Sequence, residues 1–343
     1  MRKQLGVVFA ACLYYSGLVK FARWLLKRSG QRLIILNYHR ATGGDLRRHL
    51  LYLRRHYRML HLEEALEELY GQHREERKSA QDRRSPLVLT FDDGYHDNYT
   101  HAFVLARELQ VPITIFLIPG YIESGEYFWW KEGERLVGRT GVDQVTIEGR
   151  TYRLKCPEER NLLAKKIDAS LRYAKSIAER ESFLVDIRKA LAIPSTVTAE
   201  EEAERPLTWE EVHKMEESGS ISFGAHTMHH PVLTYLADPI EVKREVVECR
   251  KLLEQQLGHP VRVLAYPIGR PEHIGDEALR AVREAGYDWA VTTVNGINTP
   301  QSDPFQLHRV LGDVSRHWLV MAAETAGIWR FLSPLWKIFL VAE

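Results

Sequence analysis

Short apolar runs recur along this chain, and between them lie stretches whose hydrophobic positions fall three or four residues apart. The runs at 33–38, 87–91, 113–118, 221–225, 261–266, 290–293 and 306–310 read as buried strands bounded by turn residues. The intervening periodicity predicts helices at 98–109, 239–257 and 276–285. Strands alternating with helices in this way predict βα units and a mainly parallel sheet. From 121 to 205 the rhythm breaks: Phe128-Trp129-Trp130-Lys131 is aromatic, 145–154 reads as a hairpin, and 158–191 reads as one or two helices. Thr208-Trp209-Glu210-Glu211 has the form of a capped helix start. The organisation expected is an N-terminal hydrophobic and basic helix (1–30), an α/β barrel (31–315) carrying a mainly helical insertion (121–205), and an amphipathic aromatic C-terminal segment (316–343).

Two features carry chemistry. The run 86–91 ends in Asp92-Asp93, with Gly94 available for the turn that follows. Two buried carboxylates repel unless a cation or a shared proton offsets them; the plain alternative is that they cap a helix starting near Asp97. The second feature is Ala225-His226-Thr227-Met228-His229-His230-Pro231. The i, i+4 spacing of His226 and His230 would put both imidazoles on one helix face, where two nitrogens can grip one ion. His229, about a hundred degrees round a helix from His230, falls off that face. Set beside the Asp pair, the two His read as a His, His, Asp site. Three protein ligands leave one coordination position for water, the arrangement of a catalytic rather than a structural zinc.

Thr90-Phe91-Asp92-Asp93-Gly94 followed by His226-Thr227-Met228-His229-His230-Pro231 resembles the first two motifs of the polysaccharide deacetylases, the NodB-homology domain. The resemblance implies a distorted, incomplete (β/α) barrel and metal-dependent deacetylation, mostly of N-acetylglucosamine polymers, with some O-deacetylases and a few non-sugar amidases. It implies Asp92 as general base and Asp93, His226 and His230 as ligands of one divalent ion, zinc by preference. Leu264-Ala265-Tyr266-Pro267-Ile268-Gly269 is similar to the third motif in the variant form of exopolysaccharide-associated members. Ala265 stands where many members carry an Arg that supports the catalytic Asp, and Arg309 is a candidate to substitute for it. Asp288-Trp289 falls too early for the fourth motif and reads as structural. For the general acid the resemblance leaves His308, in Leu307-His308-Arg309, whose plain reading is a polar strand residue. By the same analogy Tyr266 and Pro267 line the groove, and a backbone N–H near Tyr95 helps hold the oxyanion. Trp129 and Trp130 could stack on sugar rings or pack in the core.

Asp92, His226 and Tyr266 all fall at or just past strand C-termini, the face where parallel barrels build active sites. Three rival functions follow: a metal-dependent deacetylase of an acetylated glycan, a small-molecule amidase of the same fold, and a non-catalytic carbohydrate-binding relative.

Composition adds little, since 45% hydrophobic and 27% charged residues are ordinary for a globular protein. A net charge of +1 gives no global field that would favour nucleic acid. Three scattered cysteines make no disulfide framework or metal pattern. The cluster 73–84, mixed in sign, reads as a solvated loop. The N-terminus is more telling. An uncharged run from Leu5 to Val19 lies between Arg2-Lys3 and Lys20, Arg23, Lys27 and Arg28. It is short for a spanning helix and lacks a clear cleavage site. It predicts an interfacial helix on a membrane surface, helped by the aromatic C-terminal segment. A helix packed on the barrel, and an exported or a cytoplasmic protein, are the alternatives.

Overall fold

The computed structural model describes residues 2–71, 82, 84–193 and 199–328. Ten strands are present among the described residues: β1 Ile34–Tyr38, β2 Arg58–Leu60, β3 Pro86–Phe91, β4 Ile113–Leu117, β5 Gln144–Ile147, β6 Arg150–Arg153, β7 Ile221–Ala225, β8 Val263–Ala265, β9 Trp289–Val291 and β10 Val310–Leu311. Eight form one sheet in the order β10-β1-β3-β4-β7-β8-β9, with β2 paired to β3, and every pairing in it is parallel. A bridge between Val291 and Leu307 joins the two edges of the curled sheet. This is the distorted, incomplete (β/α) barrel.

Alternate strand residues separate into two cores, as a period of two requires. Ile35, Val88, Phe116, Val263, Ala265, Val291 and Leu307 pack together with the helix Leu62–Tyr70. Ile34, Leu36, Leu87, Leu89, Ile113, Ile115 and Leu264 pack on the other side, under most of the remaining helices. Both faces are therefore buried, which is why these strands read as unbroken apolar runs rather than as alternation.

Several boundaries differ from the sequence expectation. β2 has three residues and only one of them is buried, too little for an apolar run to register. The helix expected at 98–109 begins as a π-helix, Asn98–Phe103, before the α-helix Val104–Leu109. The helix expected at 276–285 starts at Pro271 and is interrupted where Gly275 turns to φ 73°. The last strand is only Val310–Leu311, because residues before it bond to irregular backbone: Arg309 N–H donates to the Val294 carbonyl. The helix Pro239–Leu257 matches its expected bounds.

Between β4 and β7, six described helices and the β5–β6 hairpin intervene. Their apolar side chains, among them Phe128, Trp129, Leu136, Val145, Tyr152, Leu163 and Leu184, form a separate cluster. Tyr95 and Ile118 join it, which ties the insertion to the C-terminal ends of β3 and β4.

The N-terminal residues make two helices rather than one, Arg2–Tyr15 and Leu18–Arg28, bent by 67°. Gly17 takes φ 85°, a left-handed conformation glycine adopts without steric penalty, and this breaks the run. Ala10, Leu13, Val19 and Ala22 are buried. The Tyr14 ring lies edge-on to Trp318 of the helix Trp318–Thr325 at 5.1 Å, and Arg23 donates to the Tyr52 hydroxyl at 2.9 Å. Among the described residues no single helix is long and apolar enough to cross a membrane. The charged cluster at 73–84 lies almost wholly outside the described residues, as does most of the aromatic C-terminal segment.

Candidate active site

The C-terminal ends of the parallel strands converge on a cavity of ≈ 320 Å³. His39 follows β1, Asp92 and Asp93 follow β3, and His226 follows β7; Ile268 and Thr293 enter after β8 and β9. Tyr95, Trp129 and Trp130 form the wall on the insertion side, with Arg40, Lys131 and Arg172 completing the lining.

Neighbouring residues on a strand point to opposite sides, so Asp92 and Asp93 need a local device to share one site. Asp93 supplies it by taking φ 73°, and Gly94 follows at φ 72°. A Cβ on Gly94 would also come within 2.8 Å of Leu117 Cδ2, so the turn leaves little room for a side chain there.

His226 and His230 do meet, with ring centroids 4.7 Å apart, but not on a helix. Residues 226–230 form an irregular loop in which Thr227 and His230 have φ of 62° and 52°. Side chains and backbone from outside hold that shape. His226 N–H donates to the Leu117 carbonyl, Gly120 N–H donates to Met228 O, and Met228 N–H donates to the backbone carbonyl of Glu245. The buried Glu245 carboxylate accepts both His229 N–H (2.8 Å) and His229 Nδ1–H (2.6 Å). His229 is therefore turned away from the site as a brace for the loop. Asp93, Thr227, His230 and Ile268 are four of the seven described non-glycine residues with positive φ, and strain gathered at one place is characteristic of functional sites.

Asp93 Oδ1 faces His226 Nε2 at 3.5 Å and His230 Nε2 at 3.7 Å. These are too long for hydrogen bonds, and Asp93 Oδ1 is buried without a hydrogen-bond partner. A tetrahedral ion with ligands about 2.1 Å away holds those ligands about 3.4 Å apart. The three buried side chains therefore have the donor set and the spacing to hold a divalent cation. His226 Nδ1–H donates to the Ala265 carbonyl at 2.7 Å, which fixes the ring and leaves Nε2 toward Asp93. Burial, with His226 close by, pushes the His230 imidazole down to about 3, so it stays neutral and able to ligate.

Asp92 has a different environment. Arg309 makes a bidentate pair with it, Nη1 to Oδ1 at 2.7 Å and Nη2 to Oδ2 at 2.8 Å. Arg309 is itself buried, donates from Nε to the Thr292 carbonyl at 2.8 Å, and lies over the Phe116 ring. Burial alone would raise the Asp92 carboxyl; Arg309, then His226 and His39, hold it below the usual carboxylate range. For Asp93, burial also works against the charged form, and the surrounding imidazoles outweigh it.

Not every residue expected at the site is there. His308 does not line the cavity: its ring packs against Gly296, and the Asn298 side chain accepts from its N–H and donates to its carbonyl. Tyr266 is fully buried with its hydroxyl donating to the Phe305 carbonyl, and Pro267 is buried too; Ile268 reaches the cavity instead. Trp129 is 2% exposed and its indole N–H donates to the His230 carbonyl, so it braces the loop. Trp130 is more open, stacks on Phe128, and donates to the Tyr95 hydroxyl at 2.8 Å.

His39, absent from the sequence expectation, lies with Nε2 4.0 Å from Asp92 Oδ2 and is partly exposed to the cavity. Its signal was available, since it directly follows the first expected strand at the active-site end. Asp97 caps no helix. Its Oδ2 accepts from Arg40 Nε, the backbone N–H of Ala41 and Thr42, and the Thr42 hydroxyl, and so pins the segment that carries His39.

Comparison with known proteins agrees with this fold. The profile of the family described as polysaccharide deacetylase matches residues 79–290. The putative polysaccharide deacetylase YxkH of Bacillus subtilis (strain 168) is 32% identical over 104 residues, which is 30% of this chain and 36% of that protein. The chain thus aligns with about a third of that relative's length. Among solved structures, the Streptococcus pyogenes deacetylase PplD in complex with acetate has a TM-score of 0.54 at 19% identity, covering 84% of this chain and 96% of that one. IcaB from Ammonifex degensii gives 0.54 at 20% identity, covering 87% and 98%. The BpsB deacetylase domain from Bordetella bronchiseptica gives 0.50 at 15% identity, covering 82% and 96%. At these identities the likeness is one of fold.

Arg309→Met should leave Asp92 buried without its cation and destabilise the fold by about 3–5 kcal/mol at neutral pH. In the native protein the depressed Asp92 carboxyl contributes stability above the unfolded carboxylate range, and loses it as pH falls through the folded value. In the variant, burial prevails and the sign reverses, so the penalty should shrink on acidification. Denaturant unfolding of both proteins between pH 4 and pH 8 checks this; a penalty that does not change with pH would contradict it.

Proposed function

Because the chain belongs to the polysaccharide deacetylase family, we propose that it is a metal-dependent hydrolase that removes acetyl groups from a glycan, N-acetylhexosamine units in particular. The observation that carries this reading is the placement of a carboxylate held ionised, Asp92, beside the separate trio Asp93, His226 and His230. Those three would hold one divalent ion, and zinc suits a set of two imidazoles and a carboxylate. When bound, such an ion supplies Lewis acidity toward the acyl oxygen and the attacking water.

The chain's own residues account for the protons. Asp92, oriented through both oxygens by Arg309, accepts the proton of the attacking water as its oxygen bonds to the acetyl carbon. His39, on the same rim, gives a proton to the nitrogen as the C–N bond breaks, releasing acetate and a free amine. This replaces His308, which does not line the cavity. Trp130 and Tyr95 offer an aromatic wall to a pyranose face. A non-catalytic relative is the reading that Ala265 in place of an Arg and an uncertain general acid would suggest; the pairing of Arg309, just before β10, with Asp92 supports the catalytic reading.

Acetate release from N-acetylglucosamine oligomers and O-acetylated glycans, with and without chelator, tests the reading. Chelator should abolish release and zinc should restore it; release that survives full metal removal would refute the metal-dependent mechanism. Asp92→Asn should keep the bound metal and lose about two to four orders of magnitude in rate, whereas Asp93→Asn should lose the metal. Equal metal loss in both would refute the separate roles.

His39→Gln should slow amide hydrolysis by about two to four orders of magnitude. It should slow an activated aryl acetate far less, because that leaving group needs no proton. His308→Gln should leave the amide-to-ester ratio unchanged. The opposite pattern would return the proton-donor role to His308.

A further inference from the structure

The two N-terminal helices bury one face each and leave the other uncovered. Of the thirteen exposed large hydrophobic residues described in the chain, six are Leu5, Val8, Tyr15, Leu18, Phe21 and Trp24. On the helix Arg2–Tyr15, the exposed positions Leu5, Val8, Cys12 and Tyr15 fall three or four apart and make a single stripe opposite Ala10 and Leu13. On the helix Leu18–Arg28, Leu18, Phe21 and Trp24 repeat that spacing, opposite Val19 and Ala22. Phe21 stacks on Trp24 at 5.7 Å, and the Arg28 guanidinium lies 4.3 Å from the Trp24 ring centre.

The charge around this stripe has one sign. No Asp or Glu occurs before Asp45, while Lys20, Lys27 and Arg28 are exposed along the second helix. We propose that this bent apolar face, bordered by cations, lies in the interface of an anionic lipid membrane and holds the barrel at its surface.

Charge decides between the possible occupants. A second copy of the chain would bring the same cations against one another. The chain's own residues 329–343 are apolar and aromatic but carry Arg330 and Lys337 with one acid, Glu343, and so offer no complement to the cations. Anionic headgroups over an apolar layer match both features at once: rings and aliphatic side chains enter the acyl boundary, and ammonium and guanidinium groups stay at headgroup level. The bend suits a helix pair lying along a surface, and each helix alone is shorter than the roughly 20 residues a span needs.

Sedimentation of the full chain with vesicles is the test, comparing phosphatidylcholine alone with phosphatidylcholine containing a third phosphatidylglycerol. The protein should bind the anionic vesicles, and added salt should weaken binding. F21S/W24S should lower the partition coefficient about tenfold or more without shifting the thermal midpoint, because both side chains face outward. A polarity-sensitive label on Cys12, in a Cys156→Ser background, should report an apolar environment only when anionic vesicles are present. The proposal is overturned if the native chain stays in the supernatant, if the double variant binds as well as the native chain, or if the face is instead covered in a dimer that the double variant dissociates.

Discussion

The buried ion pair between Asp92 and Arg309 is the interaction on which the site depends. Two adjacent carboxylates at the end of a buried strand are unfavourable unless each has its own compensation. Arg309 meets Asp92 through two hydrogen bonds, and its third donor is satisfied by Thr292. Asp93 is left facing two imidazoles, with one buried oxygen unpartnered. Separating the two environments separates their chemistry: one carboxylate stays charged and oriented, and the other is placed to share a cation.

The fold supplies the convergence. Parallel strands deliver their C-terminal ends to one rim, so His39, Asp92, Asp93 and His226 meet although they are far apart in the chain. Braces from outside the rim then hold conformations that the segments would not adopt alone. Glu245 and Gly120 hold the loop with His226 and His230, Trp129 reaches the carbonyl of His230, and Asp97 gathers the backbone after His39. The insertion contributes both support and surface: Trp129 and Trp130 both line the cavity, Trp129 nearly buried and bonded to the loop, Trp130 more open.

Much of this was legible in the sequence because burial on both faces makes strands read as apolar runs and places polar residues at their ends. Asp92, Asp93, His226 and His230 stand out for that reason. What could not be read was conformation that depends on distant partners. The i, i+4 histidines suggest a helix, yet left-handed Thr227 and His230 build a loop held by distant backbone: the helix Pro239–Leu257 and the end of β4 accept its hydrogen bonds, and Gly120 donates to it. Arg309 could be suggested from the sequence, but its reach depends on β10 lying beside β1, a pairing that local pattern does not specify. Motif position points to His308, whereas His39 is marked only by its place directly after a strand end.

The central claim is that one ion is held by Asp93, His226 and His230 while Asp92 stays with Arg309. Anomalous diffraction at the zinc edge, from crystals of the protein grown with zinc, tests it most directly. The account predicts a single strong peak about 2.0–2.2 Å from Asp93 and from both imidazoles, with the bidentate Asp92–Arg309 pair intact. A peak bound by Asp92, or no peak among these three residues in zinc-replete crystals, would contradict it.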